Sequence, residues 1–222
     1  MHKTGFGITG TLMFALCLCR GAAAQDIPGY PDSVEGYDPR EVAMIPAYCK
    51  YTQLFRDRVP GGNDAKEIAH WYDVMGHAFH SMHHYCWGLM KTNRALLLAR
   101  TTYVRKFYLK SALREYDYVI DSAPPDFFML PEIYTKRGEN LLRLNEIGEA
   151  LVSLQHAIQL KPDYWPPYAD LSDYFKRAGS PGRAMEWLRK GLAASPDAKP
   201  LLERLAELGP EKGAGPPSGG KR

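Results

Sequence analysis

An internal repeat constrains the fold of this sequence more than any other feature. Residues 131–160 align with residues 165–194 without a gap, at an offset of 34 positions. A period of this length is typical of helical units that each bury their apolar side by stacking on a neighbour. We therefore expect an all-α protein. The matched pairs are Tyr134 with Tyr168, Ala150 with Ala184, Leu154 with Leu188, Ile158 with Leu192, and Pro162 with Pro196.

Small residues and a proline within the unit indicate how each helical hairpin would pack. Gly138 and Ala150 lack bulk, so the two helices can approach closely and interdigitate around Leu154. Ala157 plays the same part against the next unit. Pro162 has no N–H group and restricts the residue before it, so it ends the second helix and sets the turn.

These positions together resemble the tetratricopeptide repeat (TPR). In the second unit Ser172 replaces the glycine that the family places in the first helix, and Gly191 replaces the alanine of the second helix. Both residues are small, so close packing is retained. The resemblance implies a short solenoid of TPR-type hairpins. The residues that carry it are Tyr134, Gly138, Leu141, Ala150, Leu154, Ala157 and Pro162 in one unit, and Tyr168, Phe175, Ala184, Leu188 and Pro196 in the next.

A degenerate unit precedes the two clear ones, and its second helix carries the same spacing. Its first helix has two possible positions. We expect it over about 93–105, before a break at 106–110. Alternatively, the longer helix that begins after Asp64 and runs to about Leu89 supplies it, with an insertion. The residues that reproduce the spacing are Ala112, Tyr116, Ile120 and Pro124.

The flanks of the repeats complete a predicted domain organisation. Three units are about the minimum for a stable solenoid, so we expect the preceding helices to pack on it as a cap. The Gly- and Pro-rich end cannot bury enough apolar surface to become ordered. The predicted parts are 1–24, a signal peptide; 25–37, an extended leader; 38–92, an N-terminal helical cap; 93–208, a TPR-like array with units at about 93–124, 131–162 and 165–196 and a capping helix; and 209–222, a disordered tail.

The first residues have the pattern of a signal peptide. A largely apolar run from Phe6 to Cys19 leads into small residues that end at Ala24. This run is shorter than the roughly 20 residues that span a bilayer, and no later run reaches that length. We expect cleavage after Ala24 and a periplasmic or secreted protein with no transmembrane helix. Lipidation of Cys17 or Cys19 is the alternative, which the leucine before each cysteine disfavours.

The charge balance excludes one large class of partner. Cleavage would remove Lys3 and Arg20 from the 28 basic residues and none of the 25 acidic ones, which leaves a net charge near +1. Such a chain has no overall electrostatic drive toward nucleic acid or an anionic membrane. The sequence also lacks a glycine-rich phosphate loop, a Gly-x-Ser-x-Gly elbow and a Cys-x-x-Cys pair. We therefore predict no nucleic-acid partner, no cofactor and no catalytic residue.

The TPR resemblance implies that the first helices line a groove that takes a protein or peptide. A mixed charged face is also common on solvated helices, so this assignment is a hypothesis about the partner. In the aromatic cluster at 164–168 we expect Tyr168 to be buried in the repeat core and Trp165 to be exposed and able to contact a partner. The candidate partner-binding residues are Lys136, Glu139, Arg143, Trp165, Asp170, Asp173 and Arg177.

A second hypothesis is a metal-binding protein or metal-dependent enzyme. His77, His80 and His84 would share one face of a continuous helix, and Cys86 follows them. Imidazole and thiolate ligands suit zinc or copper. The rival is a disulfide between Cys49 and Cys86, which are the only cysteines after the predicted cleavage site. An oxidising compartment favours the disulfide, and we predict it.

Overall fold

The structure is a computed structural model, and it describes residues 38–209. The predicted signal peptide, the predicted leader and residues 210–222 of the predicted tail lie outside this range. Residues 38–209 fall within one compact unit.

Helices account for all the regular secondary structure that the described residues contain, so the predicted all-α class is confirmed. Short 3-10 segments at Ala47–Tyr51 and Gly76–Ser81 interrupt the N-terminal part. The α-helices are α1 (Pro39–Ala43), α2 (Ala65–Met75), α3 (Met82–Leu97), α4 (Thr102–Ser122), α5 (Leu130–Leu144), α6 (Ile147–Leu160), α7 (Pro166–Arg177), α8 (Pro181–Ala194) and α9 (Lys199–Leu208).

From α3 onward the helices pack as adjacent pairs. The closest pairings are α3 with α4, α5 with α6 and α7 with α8, and each pair contacts the next. Helix α5 also contacts α7, and α7 contacts α9, so these three helices lie next to one another in the order α5, α7, α9. None of the helices in the described range combines the length and apolar character of a membrane span.

Packing within the repeated region follows the matched positions. Helix α8 begins and ends 34 residues after α6. Ala150, Leu154, Ala184 and Leu188 are fully buried. A Cβ on Gly138 would lie 2.7 Å from the side chain of Leu154, so the glycine is needed for the close approach of α5 and α6.

A long aromatic-rich core holds the N-terminal part together. The predicted disulfide is confirmed: Cys49 and Cys86 are bonded, with a Cα–Cα distance of 5.7 Å. Tyr85 and Tyr116 are fully buried beside it. The disulfide joins the 3-10 segment at Ala47–Tyr51 to α3, so it ties the first described turns to the first helix pair.

Two predictions about the N-terminal helices are wrong. The helix after Asp64 does not continue to Leu89, because Gly76 adopts a φ of +61° and a 3-10 segment follows it. The expected break at 106–110 is absent. Helix α4 runs through it because its cationic residues face solvent while Tyr108 and Leu109 are buried.

The break between helices lies instead at residues 98–101, so the first helix of the degenerate unit is α3. Asn93 lies inside α3, so the expected start at 93 is also wrong. The partner of α4 is α3 itself. A Cβ on Gly88 would lie 2.3 Å from the ring of Tyr116, so Gly88 meets Tyr116 as Gly138 meets Leu154.

Candidate functional site

Helices α5 and α7 lie side by side and enclose a cavity of about 410 Å³ between them, which we call the charged groove. Five of the seven predicted partner-binding residues line it. The lining residues are Glu139, Leu142, Arg143, Asp170, Asp173 and Arg177.

Helical spacing explains why these side chains meet. On α5, Glu139, Leu142 and Arg143 are separated by three and four residues, so they share one face. Gly138 and Leu141 are next to them in sequence and are buried on the side that packs against α6. On α7, Asp170, Asp173 and Arg177 are likewise separated by three and four residues. Two amphipathic helices therefore present polar faces to the same space.

Most charges in the charged groove have partners within the protein. The Glu139 carboxylate accepts from Lys136 at 2.8 Å and from Arg143 at 3.3 Å. Both carboxylate oxygens of Asp173 accept from Arg204 of α9, at 3.0 to 3.1 Å. Lys136 therefore supports the charged groove through Glu139 and does not line it.

Asp170 is different, because its half-buried carboxyl has no hydrogen bond and no ion pair with any described residue. Burial, together with the nearby Glu139 carboxylate, raises its pKa to about 7. Lys136 and Arg143 act in the opposite direction without forming a contact. A cation brought to this carboxyl would find an acceptor that the protein itself leaves open.

Arg177 is the cationic counterpart of Asp170. Its side chain is exposed at the C-terminal end of α7, and it forms no ion pair with another described residue. The charged groove therefore offers one acceptor and one donor group that are both free to bind a ligand.

The aromatic residues of the prediction lie outside the charged groove. Trp165 is half-buried just before α7 and packs against the small core formed around Tyr168, Leu188 and Leu201. It does not line the charged groove. Tyr168 is buried as expected, and its hydroxyl donates to the Pro162 carbonyl at 2.9 Å.

Tyr164 is the aromatic residue that lies near the groove carboxyls, and the sequence analysis missed it. Burial raises the pKa of Tyr164, and the carboxyls of Glu132, Glu139 and Asp170 raise it further. The aromatic cluster was the correct signal. Which of its members lies near the groove carboxyls depends on the turn before α7, and a helical period cannot give that position.

A buried polar chain beneath the charged groove was also missed. The Asn140 amide donates to Thr92 Oγ1 at 2.7 Å, and this hydroxyl lies 3.0 Å from the Tyr116 hydroxyl. Arg143 Nη1 donates to the side-chain oxygen Oδ1 of Asn140 at 3.3 Å. The chain links Arg143 to α3 and α4, so a charge reversal at Arg143 would disturb the core as well as the groove surface.

The histidine cluster does not assemble as a metal site. The His77 and His80 rings contact each other within the 3-10 segment, with centroids 5.1 Å apart. His84 instead pairs with Glu115, at 2.6 Å, and Cys86 is oxidised in the disulfide. In the part of the chain that the structure describes, no three His, Cys, Asp or Glu side chains are placed to hold a metal ion.

Glu115 lies at the centre of a second polar cluster, in which it contacts His84 and Lys91. Burial raises the pKa of Glu115, but hydrogen bonds from His84 and Lys91 outweigh burial and lower it overall. Burial also lowers the pKa of His83 to about 4, so His83 is neutral at physiological pH. The arrangement is a half-buried ion-pair network that joins α3 to α4.

Comparison of the chain with protein-family models finds no match, and comparison with curated proteins finds none. The fold and site define an all-helical protein of adjacent helix pairs with a charged groove between α5 and α7.

Proposed function

We propose that this protein is an exported TPR-like scaffold or adaptor that binds a protein or peptide partner in the bacterial envelope. The observation that carries the proposal is the open Asp170 carboxyl in a groove lined by two neighbouring helices. A half-buried carboxyl without a partner costs free energy in the unbound protein. Binding of a cationic group would remove that cost.

Several features support the TPR-like array. The second helices of the two clear units are offset by 34 residues, and the small residues of both units sit at helix crossings. Contacts between α5 and α7 and between α7 and α9 match the way in which first helices line up in stacked hairpins. We infer that α5 and α7 form the binding side.

The groove chemistry favours a partner with charges of both signs. A lysine, arginine or free amino group would bind Asp170, and a carboxylate would bind Arg177. Leu142 supplies an apolar contact between them. Because the cation requires the ionised form of Asp170, whose pKa is about 7, the partner should bind more tightly at pH 8 than at pH 6.

The proposed location rests on the N-terminal sequence pattern, and the disulfide agrees with it. Disulfides persist in oxidising compartments such as the periplasm. Intact mass of the chain recovered from a cell envelope tests this: a mature protein that begins at Gln25 supports export. A mass that retains Met1, or that carries lipid on Cys19, would contradict a signal peptide cleaved after Ala24.

Groove variants test the binding proposal. Wild-type protein is used to capture partners from an envelope extract, beside Asp170→Asn and Arg177→Glu. Both substitutions should lose the captured protein, because each removes a group that has no other role in the described structure. Lys136→Glu should also weaken capture through Glu139, whereas Arg143→Glu is less informative because Arg143 supports the buried polar chain.

The matched control is Lys199→Glu. Lys199 is exposed, forms no ion pair with a described residue and lies outside the charged groove. Its charge reversal should leave capture unchanged. Equal capture by Asp170→Asn, Arg177→Glu and Lys199→Glu would show that the partner binds elsewhere and would defeat the groove assignment.

A further inference from the structure

The hairpin formed by α3 and α4 is longer than the other two hairpins. Gly88 and Ala112 are 24 residues apart, whereas Gly138 and Ala150 are 12 apart, although both glycines pack against the residue four positions after the alanine. The extra residues lengthen the first helix of the hairpin by about one turn after Gly88 and the second helix by about two turns before Ala112, and the connection between them is also longer. We call residues 96–110 the hairpin tip.

The hairpin tip exposes large apolar side chains. Leu96, Leu97 and Leu98 are 44%, 63% and 58% exposed, and Tyr103 is 63% exposed. Three consecutive leucines at the end of a helix are not explained by packing within the described residues. The backbone is nevertheless ordered, because Leu98 N–H donates to the Arg94 carbonyl and the Thr101 side chain caps α4.

Cations surround this apolar end. Arg100, Arg105, Lys106 and Lys110 are exposed, and none of them forms an ion pair with a described residue. The sequence has no aspartate or glutamate from residue 74 to residue 114. The near-neutral chain therefore concentrates unpaired positive charge at one projecting end.

We propose that the hairpin tip docks on an anionic lipid surface. Leucine side chains would enter the boundary between headgroups and acyl chains, and Tyr103 suits the same depth. Arg105 and Lys106 would lie against lipid phosphates, where each cation contributes on the order of 1 kcal/mol, or about a fivefold gain in affinity. The surface is separate from the charged groove, so the protein could hold a partner while attached to a membrane.

A lipid surface fits better than an acidic protein. Four partly exposed side chains supply far less than the roughly 800 Å² per partner of a stable protein interface. A narrow end with a central apolar group and flanking cations needs no shaped counterpart in a bilayer. Attachment of this kind is peripheral and requires no membrane-spanning helix.

Vesicle flotation tests the proposal. The chain is mixed with vesicles of phosphatidylcholine alone or with added phosphatidylglycerol. All variants are prepared with the same N terminus as the wild-type chain recovered from cells. A difference in vesicle binding between them therefore comes from the substituted residues. Wild type should float with the anionic vesicles much more than with the neutral ones, and high salt should reduce the difference.

Paired substitutions separate the apolar and cationic contributions. Leu97→Ser with Leu98→Ser should weaken binding to anionic vesicles by about tenfold or more. Arg105→Gln with Lys106→Gln should weaken it on the order of thirtyfold. The controls are Val152→Ser, an exposed apolar residue of α6, and Lys199→Gln. Both controls, and Arg177→Glu in the charged groove, should bind as wild type does.

A local probe shows whether the tip itself enters the bilayer. An environment-sensitive fluorophore on Leu98→Cys should shift to shorter wavelength with anionic vesicles, whereas the same label on Val152→Cys should not. Wild type taken through the same labelling is the blank, since Cys49 and Cys86 are bonded to each other. No binding to anionic vesicles, or equal binding by tip and control variants, would overturn the proposal. Loss of a captured protein by tip variants without vesicle binding would make the tip a protein surface instead.

Discussion

Helices α5 to α8 pack through small residues at fixed intervals, whereas α1 to α4 pack around a disulfide and large aromatic side chains. In the first region Gly138 faces Leu154, and in the second Gly88 faces Tyr116. Both crossings bring two helix backbones close together. One helix geometry is therefore kept either by a short aliphatic contact or by a tyrosine ring whose hydroxyl is itself hydrogen-bonded, here to Thr92.

The two regions also differ in how their stability is distributed. Contacts of the repeated pairs are with their chain neighbours, so each pair is stabilised locally. The N-terminal region adds a covalent link over 37 residues and a buried ion pair between Arg94 and Glu41, at 2.5 to 2.7 Å. Loss of a link in this region should therefore act over a larger part of the chain than loss of one repeat contact.

The largest expected effect is removal of the disulfide. Cys49→Ala with Cys86→Ala should lower the free energy of unfolding by about 3 to 4 kcal/mol, because the closed loop restricts the unfolded chain. Hydrogen exchange should accelerate most in α2 to α4 and least in α7 to α9. Uniform acceleration along the whole chain would show that the two regions unfold as one unit and would remove the distinction drawn above.

The repeat register makes the next prediction. Ala150→Trp and Ala184→Trp should each cost about 3 kcal/mol, because both alanines are fully buried at close helix crossings. Thermal unfolding measures the effect. Glu149→Gln is the control, since its side chain is 66% exposed, and it should stay within about 0.5 kcal/mol of wild type. Equal melting temperatures for all three variants would refute the 34-residue register.

The sequence predicted the repeated region well and the N-terminal region poorly, for a physical reason. Alanine and leucine spacing is enough to locate α6 and α8, because their burial follows a helical period. The end of α2 depends on the positive φ of Gly76, and the length of α3 depends on how far the hairpin extends before turning. A glycine and a run of leucines do not by themselves specify where α2 and α3 end, because both ends depend on the residues that pack around them.

Glycine substitutions compare the two regions directly, with a smaller effect. Gly88→Ala should cost about 2 kcal/mol, because the new Cβ would lie 2.3 Å from a buried ring. Gly138→Ala should cost about 1 kcal/mol, because Leu154 can yield and alanine favours the helix. Gly148→Ala, whose Cβ would meet nothing within 4 Å, should be neutral or slightly stabilising in the same denaturant titrations. A larger loss at Gly138 than at Gly88 would show that Leu154 yields less readily than Tyr116.

The candidate site was predictable in part. Charged residues of two amphipathic helices indicated Glu139, Asp170 and Arg177, and the structure brings them together. The sequence could not show which charges find partners inside the protein. That Asp173 pairs with Arg204 while Asp170 stays open depends on where α9 packs, which no local pattern encodes.

The last expected effect in this series concerns Asp170 and has the opposite sign. The folded pKa of about 7 lies above the ordinary value of 3.8, so the folded state binds a proton more tightly than the unfolded state between these values. The free energy of unfolding that Asp170 contributes is therefore present at low pH and is lost as pH rises from about 4 to 7.

Asp170→Asn should consequently stabilise the fold, whereas the substitutions in the disulfide, at the buried alanines and at Gly88 and Gly138 should destabilise it. Because part of the carboxyl remains in water, the gain should be about 1 to 2 kcal/mol at pH 8 and close to zero at pH 4. Urea titrations at the two pH values measure it, with Asp173→Asn as the matched control, which should destabilise because it breaks the ion pair with Arg204. A group kept at a cost to stability, yet needed for capture of a partner, is what a binding site requires. If Asp170→Asn destabilises the protein at pH 8, Asp170 has a structural partner, and the carboxyl that carries the proposed function is not open.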